Sequence, residues 1–150
     1  MKNTEATITY NKLVADKIPK KIRKNGGKCK VRILTQEGLK NILPSKLKEE
    51  VDELRTANTR ESRLLEAADV IQVTTDLLWV NNLSIYDCRK EQQNFRLTVP
   101  QSFKKLIKEL QRLALELEES YNDRGNTLKI LAAVVQITLV IINLDEWNHE

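Results

Sequence analysis

The chain of 150 residues is 41% hydrophobic and holds four Gly and three Pro, which excludes a disordered or loop-rich protein and predicts one folded domain over 1–150. Its net charge of +4 is uneven: residues 1–48 contain thirteen Lys/Arg and three Asp/Glu (+10), and the remainder contains twelve and eighteen (−6). This division suits a phosphorylated ligand held between basic groups and a metal ion, and it also suits nucleic acid. The two cysteines do not have the spacing of metal ligands, and no apolar segment follows Lys2. Together these features predict a cytoplasmic protein with reduced thiols.

Residues 1–34 are predicted to form an irregular basic arm. Pro19 favours one helical turn after it, and the pair Gly26-Gly27 would end that turn. The stretch CKVRIL at 29–34 is expected to be extended.

Residues 35–97 predict two main helices followed by a polar connector. Apolar residues recur at intervals of three and four along the first helix, and Pro44 is expected to kink or divide it. Asn58, with Glu61 three residues later, resembles a capping box and predicts the start of the second helix. That helix should run to about Val80 and lie centrally, because it is apolar on most sides. The connector, residues 84–97, is expected to be partly helical.

Residues 98–150 predict a C-terminal helix pair. One helix is expected from Pro100 to about Tyr121, and the other from about Thr127 to Trp147. The apolar part of the last helix is short and interrupted by polar residues, so it is interpreted as a buried core helix and not as a membrane span. The fold class expected for the whole chain is therefore all-α, with four main helices.

A weak internal repeat relates the two helix pairs. KLKEEVDEL at 46–54 aligns with KLIKELQRL at 105–113, and VIQVT at 70–74 aligns with VVQIT at 134–138. The distance between aligned segments is five residues longer in the second copy, which predicts a longer linker there. Both a degenerate duplication and a chance similarity of Leu/Val-rich helices are open. A duplicated second copy would have lost most of its acidic residues.

Acidic residues interrupt the apolar run LLEAADVIQV at 64–73. Glu66 and Asp69 are three residues apart and share a helix face, and burying them without a partner would be costly. The preceding helix carries a second such pair, Glu50 and Glu53, with Glu49 beside them. An EExxE stretch alone is common on solvated helices, but the two pairs on consecutive helices are more specific. Four facing carboxylates need protons, Lys or Arg, or a metal, and oxygen ligands without His or Cys favour magnesium or manganese over zinc.

The stretches KLKEEVDE and LLEAADVIQV together resemble the EExxE…ExxD signature of the MazG-like all-α nucleoside triphosphate pyrophosphohydrolases. At the N-terminal end, YNKLVADKIPKKI and NGGKCKVRIL resemble the YNKLVRDKIP-type branch of that superfamily, so the resemblance covers residues 8–90. It implies a MazG-like antiparallel helical bundle. It also implies Mg²⁺-dependent hydrolysis of NTP or dNTP to the monophosphate and pyrophosphate, which clears nucleotides from the cellular pool.

The resemblance also implies roles for individual residues. The metal ligands would be Glu50, Glu53, Glu66 and Asp69. Glu49 would support a ligand or orient the attacking water, and with Glu50 and Glu53 it completes the expected catalytic set. Lys12, Lys17 and Lys90 would contact the phosphates of the substrate, although solubility explains surface lysines equally well. The single His149 is expected to have no part in catalysis.

Two departures from the family pattern concern phosphate binding. Ala15 stands where the family has Arg, and the loss removes a bidentate phosphate contact that Lys does not replace in kind. The stretch RKEQQNFRLT at 89–98 stands in place of a basic, Gly-containing stretch that ends in RGGF-like residues, with Arg89, Lys90 and Arg96 as partial substitutes. These changes bear on the reaction rate and on the choice of substrate more than on the fold of the protein.

Three functions from different classes compete. The leading hypothesis is the pyrophosphohydrolase, and the alternative is a catalytically degenerate module of the same fold that binds nucleotide or a protein partner. A helical nucleic-acid-binding protein is disfavoured, because the basic half lacks interleaved aromatic residues and any recognised binding motif. Relatives often complete their bundle by dimerisation. The C-terminal pair is therefore expected to replace a partner's helices within a monomer, or else the chain is a homo-oligomer.

Overall fold

The computed structural model is all-helical over the residues it describes, 12–100 and 102–147, with side chains as far as Leu144. The helices are α1 (Lys17–Lys24), α2 (Gln36–Thr56), α3 (Arg60–Val80), α4 (Ile85–Asn94), α5 (Phe103–Ser120) and α6 (Arg124–Trp147). The chain divides into two compact units, Met1–Ile33 and Leu34–Glu150. The all-α class is thereby confirmed. Tyr10, Asn11 and His149 lie outside the described residues, so predictions that involve them stay predictions.

Helix α1 belongs to the first unit and is longer than the single turn expected. It spans eight residues, and Pro19 lies in its first turn, where a missing N–H leaves no hydrogen bond unmade. Gly26 adopts a φ of +83°, and the N–H of Gly27 donates to the carbonyl of Ile22 at 3.0 Å. The glycine pair therefore ends the helix as predicted. The stretch at 29–34 contains neither helix nor strand.

Helix α2 runs unbroken through Pro44, so the expected division is wrong, and the alternative of a kink stays a prediction. It begins after Thr35, whose hydroxyl accepts a hydrogen bond from the N–H of Gly38 at 3.1 Å. Pro44 has no N–H to donate within the helix, but it is buried together with Leu43 and Leu47. Tertiary packing on both sides of the proline thus keeps the helix continuous.

Helix α3 is capped one residue later than predicted. The hydroxyl of Thr59 accepts from the N–H of Ser62 at 3.1 Å, and the hydroxyl of Ser62 accepts from the N–H of Thr59 at 3.1 Å. This reciprocal capping box replaces the predicted one at Asn58 and Glu61, because Ser62 supplies the returning side chain. The predicted end of the helix at Val80 is confirmed.

The start of each C-terminal helix also differs from the expectation. Helix α5 begins at Phe103, after Pro100 and not at it. Helix α6 begins at Arg124, earlier than predicted, because a carboxylate oxygen of Asp123 accepts from the N–H of Asn126 at 2.9 Å and caps the first turn.

The two helix pairs have equally short connections. Residues 57–59 join α2 to α3, and residues 121–123 join α5 to α6. The longer linker predicted for the second copy of the repeat is therefore wrong. The five additional residues of the second copy lie within α5, which continues to Ser120, beyond its aligned segment 105–113.

The core of the second unit lies among its four long helices. Helix α2 packs against α3 and α5, while α6 packs against α3, α5 and α4. The side chains at the centre of these contacts are fully buried, at 0% exposure: Leu47, Leu54, Leu77, Leu106, Leu110, Leu117, Leu131 and Ile137. Such burial is the main source of stability in a helical domain of this size.

Helix α6, and not α3, is the most enclosed helix. Every residue from 130 to 134 on α6 is buried, as expected for a helix with three neighbours. Helix α3 instead exposes one face, on which Leu65 is 66% and Trp79 61% exposed. The central position predicted for α3 is therefore wrong.

The segment Arg124–Leu144 of α6 is long and apolar enough to cross a membrane, by length and composition alone. Half of that segment is buried inside the protein, where it packs against α3, α4 and α5. Three helical neighbours account for its apolar character, as expected for a core helix.

Candidate metal centre

Three glutamates from two antiparallel helices meet at one place. Glu50 and Glu53 lie on α2, and Glu66 lies on α3, after the short connection 57–59 has reversed the chain. One carboxylate oxygen from each of the three lies within 4.8 Å of the other two. The spacing of three residues puts Glu50 and Glu53 on one helix face, and the antiparallel return brings Glu66 opposite them.

The electrostatics of this glutamate group are unfavourable to three ionised carboxylates. Burial raises the pKa of Glu66 above its ordinary value of 4.5, and the charges of Glu53, Asp69 and Glu50 raise it further. A hydrogen bond between Glu66 and Glu53 acts in the same direction, because it favours the protonated acid. Glu50 is only 5% exposed, so water does little to screen its charge. A proton, a Lys or Arg side chain or a metal ion would therefore relieve the repulsion within the group.

One source of positive charge is built into α2. The ammonium group of Lys46 lies 2.6 Å from a carboxylate oxygen of Glu50 and 3.4 Å from one of Glu49. Burial would lower the pKa of Lys46, but its hydrogen bonds and charge interactions with Glu50 and Glu49 outweigh that effect and raise it. Lys46 is therefore a charged counter-ion at the edge of the glutamate group.

The donor set suits a hard divalent cation. Oxygen ligands lie about 2.0–2.6 Å from Mg²⁺ or Ca²⁺, so oxygens on opposite sides of an ion are about 4–5 Å apart. The three glutamate oxygens, within 4.8 Å of one another, can surround one such ion with small side-chain adjustments. Carboxylates without His or Cys in the group favour magnesium or manganese over zinc.

Two of the predicted acidic residues lie beside this group. Asp69 is exposed on α3 and is not one of the three residues whose oxygens converge, although its charge contributes to the raised pKa of Glu66. Glu49 precedes Glu50 on α2, is partly exposed and pairs with Lys46. Both therefore lie around the group of three and not within it.

The predicted phosphate-binding lysines are all exposed residues. Lys12 and Lys17 are exposed residues of the first compact unit. Lys90 is exposed on α4, which packs against α6. Their proposed role thus rests on the family resemblance alone.

Lys46 is a residue of the site for which the sequence analysis predicted no role. Its spacing of four residues before Glu50 was a usable signal, since residues four apart on a helix are neighbours. That spacing is common, however, on solvated helices. The informative feature is burial, because the Lys46 side chain is 17% exposed and that of Glu50 is 6% exposed.

The aligned residues of α5 carry a different charge arrangement. Glu109 aligns with Glu50, and Arg112 aligns with Glu53. The guanidinium of Arg112 lies 2.6 Å from a carboxylate oxygen of Glu109 and 2.6 Å from one of Glu116. A covalently attached cation therefore neutralises the acids there, and that region of α5 has no need of a metal.

Two concave regions of the second unit lie away from the glutamates. One, of about 270 Å³, is lined by Lys40, Asn81, Tyr121 and Arg124 among others. The other, of about 370 Å³, is lined by Arg89, Gln92, Gln93 and Gln136. Neither of these two regions includes Glu50, Glu53 or Glu66.

Comparison of the chain with protein-family models, with curated proteins and with solved structures gives no match.

Proposed function

We propose that this protein is a magnesium-dependent nucleoside triphosphate pyrophosphohydrolase with a MazG-like fold, in which α2, α3, α5 and α6 form the four-helix bundle. The observation that carries the proposal is the convergence of Glu50, Glu53 and Glu66 from two antiparallel helices. The resemblance of KLKEEVDE and LLEAADVIQV to the family signature supports the same function. Manganese would serve in place of magnesium, because both ions take oxygen ligands.

The proposed reaction adds water across the anhydride bond between the α- and β-phosphates and releases a monophosphate and pyrophosphate. Glu50, Glu53 and Glu66 would hold the metal, with Asp69 following Glu66 on the same helix as a fourth ligand. Bound magnesium would neutralise phosphate charge and lower the pKa of the attacking water. Glu49, next to Glu50 on α2, would orient that water.

Release of pyrophosphate tests this function. Wild-type protein should release it from members of a panel of ribo- and deoxyribonucleoside triphosphates in the presence of magnesium. Glu53→Gln keeps the shape of the side chain but removes its charge, and it should abolish the release. Asp52→Asn is the matched control, because Asp52 neighbours Glu53 on α2 but bonds to Gln111 on α5, away from the glutamate group. A Glu53→Gln variant as active as wild type would contradict the proposal.

A second candidate is a nucleotide-binding or partner-binding module of the same fold that lacks turnover. Two departures from the family pattern favour this candidate, because both remove phosphate contacts. Ala15 stands in place of the family's Arg, and RKEQQNFRLT stands in place of an RGGF-like stretch. Metal-dependent binding of nucleotide without any release of pyrophosphate would select it over the enzyme.

A further inference from the structure

The contact between Lys46 and Glu50 is unusual for a pair on one helix. The ammonium nitrogen lies 2.6 Å from the carboxylate oxygen, and both side chains are largely withdrawn from water. An exposed pair at this spacing contributes little stability, and the order with Lys before Glu is the less favourable one along a helix. Helix stabilisation therefore does not explain why this lysine is buried against this acid.

A second lysine that precedes a glutamate by four residues makes no such contact. Lys105 precedes Glu109 by four residues on α5, in the segment that aligns with Lys46 and Glu50. Lys105 is exposed, and the carboxylate of Glu109 pairs with Arg112 instead. The spacing alone does not produce the contact. The contact occurs where two further carboxylates, Glu53 of the same helix and Glu66 of the facing helix, lie close to Glu50.

We propose that Lys46 is a tethered counter-ion that competes with the divalent metal for Glu50. In the metal-free protein its ammonium group, 2.6 Å from the Glu50 carboxylate, supplies positive charge to the glutamate group. A metal ion held by Glu50 repels that ammonium group and weakens its bond to the carboxylate. Lys46 therefore lowers the affinity for metal, and it becomes free to attract the anionic substrate once the metal is bound. This inference rests on the proposed function, which supplies the metal.

Binding of Mn²⁺ alone, measured by calorimetry on the full chain, tests the inference without any turnover. Lys46→Met removes the charge and keeps the length of the side chain, so it should lower the dissociation constant for Mn²⁺ by about fivefold or more, the size usual for coupled binding. The same variant should have a lower melting temperature without metal, because Glu50 has lost its counter-ion, and a larger rise in melting temperature on adding Mn²⁺. Lys46→Gln, which can still donate a hydrogen bond, replaces Lys46→Met if the latter does not fold.

Lys48→Met is the matched control. Lys48 lies two residues along α2 and pairs with Glu118 of α5 at 3.2 Å, so its removal should leave the affinity for Mn²⁺ unchanged. An unchanged or weaker affinity in Lys46→Met would overturn the inference and leave the proposed function standing. A loss of affinity would show that Lys46 orients Glu50 as a supporting residue, since loss of such partners weakens metal sites. Wild-type protein that binds no Mn²⁺ would overturn both the inference and the proposed function.

Discussion

Lys48 on α2 and Glu118 on α5 are joined by an ion pair, with 3.2 Å between Nζ and Oε2. The other carboxylate oxygen of Glu118 accepts from the hydroxyl of Ser45 at 3.1 Å, and farther along the helices Gln111 donates to Asp52 at 2.8 Å. These bonds lie on the side of α2 that faces α5, whereas Glu50 and Glu53 face α3. The C-terminal helix pair therefore covers the acidic helix within the same chain.

The exposed bonds between α2 and α5 should contribute far less to stability than the apolar contacts beside them. Glu118→Gln should lower the free energy of unfolding by less than about 1 kcal/mol, because solvent screens a pair of this kind. Leu117→Ala should lower it by about 2–5 kcal/mol, since Leu117 is fully buried. Urea unfolding of both variants measures the difference, and equal losses would show that α5 is held by polar bonds instead of by its buried leucines.

The packing of α5 and α6 on α2 and α3 also predicts the oligomeric state. The four long helices bury most of their large apolar side chains against one another, so the chain should be a monomer in solution. Light scattering coupled to size-exclusion chromatography measures the mass, which should be close to 17.3 kDa. An obligate dimer with residues 100–147 at the subunit interface would contradict the hypothesis that these helices replace a partner's.

The raised pKa of Glu66 predicts a pH dependence of stability in the metal-free protein. Below pH 4.5, the ordinary value, Glu66 is protonated in both the folded and the unfolded chain, and its contribution to stability is complete. As the pH rises through the raised pKa, ionisation costs the folded state more than the unfolded state, so stability is lost. Glu66→Gln should therefore be more stable than wild type at pH 7, by on the order of 1 kcal/mol.

Chemical unfolding in the presence of a chelator, at several pH values between 4.5 and 7, measures this effect. The advantage of Glu66→Gln should shrink as the pH falls, because protonation then relieves the repulsion in wild type as well. A difference that stays constant over this range would show that Glu66 does not titrate with a raised pKa.

The meeting of Glu50, Glu53 and Glu66 was predictable, because helical spacing and a short connection leave few other arrangements for the two helices. The exposure of one face of α3 was not predictable, since Leu65 and Trp79 are apolar residues and only the position of α6 decides which faces are covered. The continuity of α2 through Pro44 likewise depends on tertiary packing, which outweighs the local effect of proline. The role of Lys46 depends on burial, which a spacing of four residues does not reveal.

The most direct test of the proposed function is phosphorus NMR of a nucleoside triphosphate incubated with the protein and magnesium. Signals of pyrophosphate and of the monophosphate should grow in equal amounts as the substrate disappears, and neither should appear with Glu53→Gln. Formation of the diphosphate with inorganic phosphate would contradict cleavage between the α- and β-phosphates. A substrate that stays intact in the presence of folded, metal-loaded protein would contradict the enzyme, and metal-dependent binding of that intact nucleotide would then select the binding module.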